Sequence, residues 1–238
     1  MTIIDLDLLD GINPSYVQQR LKAAGGKEIE SGKFSSHESS AALAVNCFAW
    51  FNERTKEFPP FPRIKLNSAP IAIDVEYSAR FPWKGGRHPW LDAFIETKDA
   101  IIGVESKRYE PFRDKKAVNL SQAYWRKVWG ENMKSYENLR DQLTNKTIGF
   151  EYLNATQLIK HAFGLITEAR RKNKTPILFY LFAEPKTLRG KEISAKIFTA
   201  HREEAKLFRD LVKGDEVKFD FSSYREWLEN FEGAPKQH

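Results

Sequence analysis

Residues 88–109 read HPWLDAFIETKDAIIGVESKRY, two apolar runs that meet at Thr97-Lys98-Asp99-Ala100. The pattern predicts an antiparallel hairpin with Lys98 and Asp99 as the two loop residues. In that register Asp92 falls directly across from Glu105, and facing Cβ atoms lie about 4.5–5.5 Å apart. Alternation places Asp92, Phe94 and Glu96 on one face with Ile101, Gly103, Glu105 and Lys107. Ala93, Ile95, Ile102 and Val104 then form a core surface on the other. Two carboxylates pressed together repel unless a cation joins them, and a hard divalent metal is the simplest such cation.

The rest of the chain supports a folded domain around this hairpin. With 238 residues, 41% hydrophobic and 13% aromatic, the chain is too long and too apolar to be disordered. No run approaches the roughly 18 apolar residues of a membrane span, so no membrane partner is expected. The opening MTIIDLDLLDG carries acids where a signal peptide needs positive charge. A single cysteine, Cys47, excludes a disulfide framework; it reads as an inert core residue, and the location expected is cytoplasmic. The net charge is +6, and residues 80–130 hold eleven basic side chains against six acids. Most of the excess charge therefore surrounds the acidic hairpin, which suits a metal acting on a phosphate backbone. Lys84 and Arg87 in the loop PWKGGRHPW, with Arg113, Lys115 and Lys116 after the hairpin, are the expected nucleic-acid contacts.

Taken in order, Asn13-Pro14-Ser15 opens a short helix that stops at Gly25-Gly26. Ser35 or Ser36 caps a second helix, HESSAALAVNCFAWFNERT, with Glu38 in its first turn. IAIDVEYSARF alternates as a half-buried strand, its Asp74, Glu76, Ser78 and Arg80 on the polar side. From Asn119 or Ser121, Trp125, Trp129, Met133, Tyr136, Leu139 and Leu143 recur at helical spacing, predicting one long helix. Asn154 caps ATQLIKHAFGLITEARRK, and TPILFYLFAEP follows as a strand covered on both faces. A helix over about residues 193–212, a short edge strand at Lys218 to Phe221 and a final amphipathic helix close the chain. This order predicts an α/β fold with a central mixed β-sheet flanked by helices. The chain reads as one domain over residues 1–238, with a core at about 36–185 and additions at 13–26 and 192–231.

An acid-x-Lys triplet is common in a chain that is 29% charged, and Asp114-Lys115-Lys116 or Glu216-Val217-Lys218 would match it too. Only Glu105-Ser106-Lys107 follows an apolar strand paired with another that carries an aspartate in register. In that context the chain resembles the PD-(D/E)XK nucleases, the restriction-endonuclease-like superfamily. The signature aspartate and Glu-x-Lys correspond to Asp92, Glu105 and Lys107, and the leading-helix glutamate to Glu38. Gln157 and His161 correspond to a Gln-x-x-x-Tyr found in several branches, with His in place of Tyr. Leu91, rather than proline, precedes Asp92.

The resemblance implies a restriction-endonuclease-like core and a Mg²⁺-dependent DNA endonuclease, of restriction or repair type, with Mn²⁺ as a substitute. Asp92, Glu105 and the Ser106 carbonyl would hold the metal, and Glu38 a second metal or a water on it. The bland alternative for Glu38 is a charge favouring the helix dipole. Lys107 would orient the attacking water, and Gln157 would position water or the scissile phosphate. His161 stands between that role and a structural helix histidine. The expected products carry a 5′-phosphate and a 3′-hydroxyl, the expected partner is double-stranded DNA, and a homodimer stays open. The competing readings are a catalytically inactive nucleic-acid-binding module on the same fold and a surface Glu105–Lys107 ion pair without function.

Overall fold

The computed structural model describes residues 6–25, 28–229 and 231. Five strands form one mixed sheet: β1 (Ala72–Ser78), β2 (Trp90–Glu96), β3 (Ala100–Lys107), β4 (Thr175–Phe182) and, counted seventh, β7 (Lys218–Ser223). They lie in the order β1-β2-β3-β4-β7, so β3 is the central strand with β2 and β4 on either side. β1, β2 and β3 pair antiparallel, and β3, β4 and β7 parallel. The two-residue strands β5 (Thr187–Leu188) and β6 (Lys191–Glu192) make a separate ribbon. The architecture is therefore α/β with a five-stranded mixed sheet between helical layers, as a restriction-endonuclease-like core requires.

The hairpin forms in the expected register, with Ala93 opposite Val104 and Glu96 opposite Ile101. Thr97 fixes its turn: the hydroxyl accepts the Ala100 N–H at 2.9 Å, and Thr97 N–H donates to the Ala100 carbonyl at 2.9 Å. On one sheet face Val75, Ala93, Ile95, Ile102, Val104 and Phe179 pack with α1 (Pro14–Ala24) and α2 (Ser40–Ala49). On the other, Phe94, Ile101, Leu178 and Tyr180 pack with α4 (Lys134–Thr144), α5 (Ala155–Lys172) and α6 (Ala195–Leu211). Two short helices, α3 (Glu110–Arg113) and α7 (Tyr224–Leu228), follow β3 and β7 directly. Among the described residues no helix is long and apolar enough to cross a membrane.

α5 is the scaffold of the site. The Asn154 side chain accepts the Gln157 N–H at its start, and Asn173 ends it in the left-handed region at φ 53°. Gly164 lets the β1–β2 connection cross it: an added Cβ would stand 2.6 Å from Pro89 Cγ and 2.7 Å from the Ala79 carbonyl oxygen. Ala79 and Pro89 are tied to each other by a 2.9 Å backbone bond, so neither can retreat independently. Gly164→Ala is accordingly expected to lower stability by about 1–3 kcal/mol, despite alanine's better helix propensity. Urea unfolding of the two proteins checks it, and an unchanged midpoint would contradict the close approach.

Two helical expectations need correction. Ser39, rather than Ser35 or Ser36, caps α2, because its side chain accepts the Ala42 N–H, while Ser36 Oγ accepts the Glu38 N–H in the preceding turn. Glu38 thus lies outside the helix. α2 also ends at Ala49, not near Thr55. The long tryptophan helix is broken. Residues 122–125 and 131–133 are 3₁₀ turns, Gly130 takes φ 92°, and only α4 is α-helical. The apolar stripe is still core, since Trp129 stacks on Phe163 at 4.4 Å. The irregular backbone is held by side chains: Arg140 and the Trp129 indole both donate to the Tyr124 carbonyl.

The terminal elements sit where their patterns put them. The Gly25 end of α1, β7 at the sheet edge and the α7 start at Tyr224 match the sequence reading. Gly26 lies outside the described residues.

Candidate active site

β3 runs from core to site in three alternating steps. Ile101 and Gly103 face α5, and Gly103 is the point where a Cβ would press on Leu91 at 2.8 Å and Leu165 at 3.3 Å. Glu105 comes next on that face, with only 1% of its surface exposed. One carboxylate oxygen contacts the Lys107 ammonium, and the other lies 3.0 Å from His161 Nδ1. Neither contact has hydrogen-bond geometry, so both oxygens are buried without a hydrogen bond. Burial alone would raise the Glu105 pKa, but Lys107 and His161 outweigh it and hold it near 2. Lys107 is correspondingly raised: burial opposes its charge, while Glu105 and then Asp92 favour it.

Asp92 adjoins this pair. Its Oδ2 accepts the Ser106 N–H at 2.6 Å, which sets the carboxylate against the Glu105-Ser106-Lys107 run. Burial, and after it the charge of Glu105, push the Asp92 pKa well above the usual carboxylate range. A third acid, Glu76, joins from β1. It holds φ 48°, and its own pKa rises to about 7 through burial and the charges of Glu105 and Glu28. The β1–β2 ladder pairs Val75 with Ala93 and Tyr77 with Leu91 but skips Glu76 and Asp92 between them. Across that gap the faces exchange. Val75 and Ala93 belong to the α2-side core, Tyr77 and Leu91 to the α5-side core. Strict alternation therefore does not run through Asp92. The strand pair rolls over where the two acids sit, and left-handed Glu76 marks the roll.

Lys107, Glu110, Lys115, Lys116, Gln157 and Tyr180 line a cleft of about 270 Å³ beside this cluster. Gln157 is oriented by the helix cap, its Oε1 accepting from Asn154 Nδ2 at 3.2 Å. His161, one turn further along α5, is buried against Glu105 rather than lining the cleft. Lys115 is exposed, whereas Lys116 donates to the Glu110 and Asp114 carbonyls. Glu110 fixes the chain just past Lys107: one oxygen accepts the Arg108 and Tyr109 N–H groups, and the other meets the Ser40 hydroxyl.

Other sequence candidates lie elsewhere. Glu38 pairs with Arg113 at 2.6 Å in a neighbouring cleft of about 550 Å³, not with Asp92 or Glu105. Arg113 also holds Asp114 at 2.8 Å, so its charge is already matched. At the basic end of α5, Lys172 and Lys174 both clamp Glu96, and Arg171 pairs with Glu168. Lys84 and Arg87 are exposed and meet no acid among the described residues. The Cys47 thiol is half-buried, with its pKa pushed up to about 12 by burial, which suits an inert residue.

The metal expectation can be tested against these atoms. Among the described residues no group of three or more His, Cys, Asp or Glu side chains is placed to hold a metal ion. Mg²⁺, however, is commonly bound through one or two carboxylates and keeps several waters. Two buried Glu105 oxygens, ion-paired but without a hydrogen bond, beside an Asp92 whose ionisation is disfavoured fit that smaller demand. Sequence reasoning missed Glu76 and Glu110. Pairing IAIDVEYSARF against β2 would have put Glu76 opposite Asp92; Glu110-Pro111 carried only a helix-start signal.

Fold and site together define a restriction-endonuclease-like α/β protein. The model of the family described as Restriction Endonuclease associating with ARP matches residues 9–226, and the chain belongs to that family. No curated protein and no solved structure matches it.

Proposed function

We propose that this protein is a metal-dependent DNA endonuclease of the PD-(D/E)XK type, cutting phosphodiester bonds to leave 5′-phosphate and 3′-hydroxyl ends. The observation that carries this reading is the buried Glu105 paired with Lys107 next to the second carboxyl group of Asp92, at the wall of a lysine-lined cleft. Family membership supports a nuclease role. Asp92, Glu105 and the Ser106 carbonyl would hold Mg²⁺, which when bound supplies Lewis acidity to the phosphate and the attacking water. Lys107 keeps Glu105 ionised and places a positive charge where negative charge develops on the phosphate. Gln157, pinned by Asn154, offers a neutral amide to orient water or a phosphate oxygen. Lys115 and Lys116 bring cationic charge to the same cleft. The family description also names an association with ARP, and the enzyme is expected to work beside that partner.

The deciding experiment incubates the protein with plasmid, linear and single-stranded DNA in Mg²⁺, Mn²⁺ or EDTA. Cleavage with either metal and none with EDTA is expected; binding without cleavage under every condition would favour the inactive module. The Arg113 pairing of Glu38 is the one feature that leans toward that module, since it occupies an acid the resemblance reserves for metal.

Salt dependence tests the substrate. Duplex binding in Ca²⁺ should weaken with a log–log slope of about −0.9 per phosphate neutralised. Removing the exposed Lys84 and Arg87 together should make it shallower by up to about two such steps. Removing the acid-paired Arg113 should change it little. An unchanged slope for the double variant would reduce that loop to a solvated surface.

A further inference from the structure

From the cleft, a row of basic side chains crosses the α5 side of the molecule over buried and half-buried aromatic rings. Gln157 lines the cleft, and Lys160 lies one helical turn further along α5. The Lys160 ammonium sits 5.9 Å from the Tyr124 ring centre. The indole N–H of Trp129 donates to the Tyr124 carbonyl, and its ring lies 5.6 Å from Trp83. The Arg126 guanidinium covers the Trp83 ring at 4.3 Å. Trp83 opens a loop in which Gly85 and Gly86 have positive φ and nothing within 4 Å of where a Cβ would stand, so the loop projects clear of the body. Lys115, Lys160, Arg126, Lys127, Lys84 and Arg87 form no ion pair with an acid among the described residues. By contrast, the cations at the end of α5 are tied to Glu96, Glu168 and Glu216.

We infer that this band is a track for a single-stranded stretch of DNA leaving the cleft, with a base stacked on the Arg126 guanidinium that Trp83 backs. The reading rests on the nuclease assignment of the cleft and narrows its substrate to DNA with an unpaired segment beside the cut. Duplex phosphates need only the cations. A guanidinium placed over an indole ring adds a surface that only an unstacked base can use. Trp83 itself is packed on Phe81 at 4.8 Å and on Trp129, so the indole that backs Arg126 is a fixed platform.

The test is fluorescence anisotropy of the full chain in EDTA, using labelled oligothymidylate and a blunt hairpin duplex, with Arg126→Lys as the principal variant. Arg126 is exposed, so the substitution spares the core, keeps the charge and removes the plane. Oligothymidylate binding should weaken about tenfold with an unchanged salt slope, while hairpin binding stays nearly constant. Trp83→Phe, which keeps an aromatic backing, should retain most of the single-strand affinity. Equal loss for both probes, or none for either, overturns the track and leaves a general electrostatic patch. Cleavage by the wild-type protein of plasmid, of single-stranded DNA and of a duplex carrying a single-stranded flap separates the two readings. Cleavage with Arg126-independent binding sinks the track alone. Arg126-dependent oligothymidylate binding with no cleavage in Mg²⁺ or Mn²⁺ sinks the nuclease assignment and leaves the band a single-strand binding surface.

Discussion

Lys107→Ala should cut DNA cleavage by about a hundred- to a thousandfold while leaving Mn²⁺ binding in place. The ammonium contacts Glu105 and faces the cleft, but it is a cation and cannot ligate a metal. Its loss removes positive charge from where phosphate charge develops. It also leaves Glu105, 1% exposed, with only His161 against its carboxylate. Breaking one side of a buried pair costs about 3–5 kcal/mol, so the metal-free variant should melt earlier. The pH sense follows from Glu105. Its folded pKa near 2 lies below the usual 4.5, so the stabilisation is fully present above about pH 4.5 and fades as pH falls toward 2. Without Lys107 that acid-side advantage should shrink, and Mn²⁺ should restore more stability to the variant than to the wild type. Calorimetric titration with Mn²⁺ and melting curves from pH 2 to 7 measure both. Loss of Mn²⁺ affinity as complete as in an Asp92 variant would refute the division of roles.

The parts of the site that could be read in the sequence follow local rules. The 97–100 turn and the alternation on either side fix the β2–β3 register from Ala93 to Glu96, and Asp92, next along the chain, reaches the Ser106 N–H. The Asn154 cap sets the phase of α5, which aims Gln157 at the cleft and His161 at Glu105. What failed depends on backbone states that residue type does not announce. Nothing in IAIDVEYSARF marks Glu76 as left-handed, yet that φ and the roll beside it turn an acid assigned to the polar face toward Asp92. The tryptophan stripe keeps its spacing because its members pack into the core, Trp129 on Phe163 of α5 and Tyr136 near Phe208 of α6. Its own backbone is turned at Gly130, where an added Cβ would meet the Arg170 guanidinium at 2.5 Å. Side-chain pairing across long separations, such as Glu38 with Arg113, is likewise invisible in one sequence. Periodicity reports burial, and burial does not always mean regular structure.

Asp92→Asn should abolish cleavage and yet make the metal-free protein more stable at neutral pH. Burial and the neighbouring Glu105 raise the folded pKa of Asp92 well above its ordinary 3.8. A carboxyl raised in this way costs stability as pH climbs past its unfolded value, and the cost grows until pH passes the folded pKa. Asparagine has no charge to bury, and its side-chain oxygen can still accept the Ser106 N–H. The gain expected at neutral pH is on the order of 1 kcal/mol, or about 2–4 °C in melting temperature for a chain of this size. It should shrink toward pH 4 and vanish below about pH 3, where the wild-type carboxyl is protonated in both states. A divalent cation should reverse the order. Mn²⁺ at about a hundred times its Kd would stabilise the wild type by about 2.7 kcal/mol and the variant hardly at all. Melting curves of both proteins at pH 4 and pH 7.5, with and without Mn²⁺, contain the whole test. If the variant is less stable than the wild type at pH 7.5 without metal, Asp92 is not strained by Glu105. If Mn²⁺ stabilises both alike, the metal does not sit on Asp92, and the cleavage chemistry proposed for this cleft loses its first ligand.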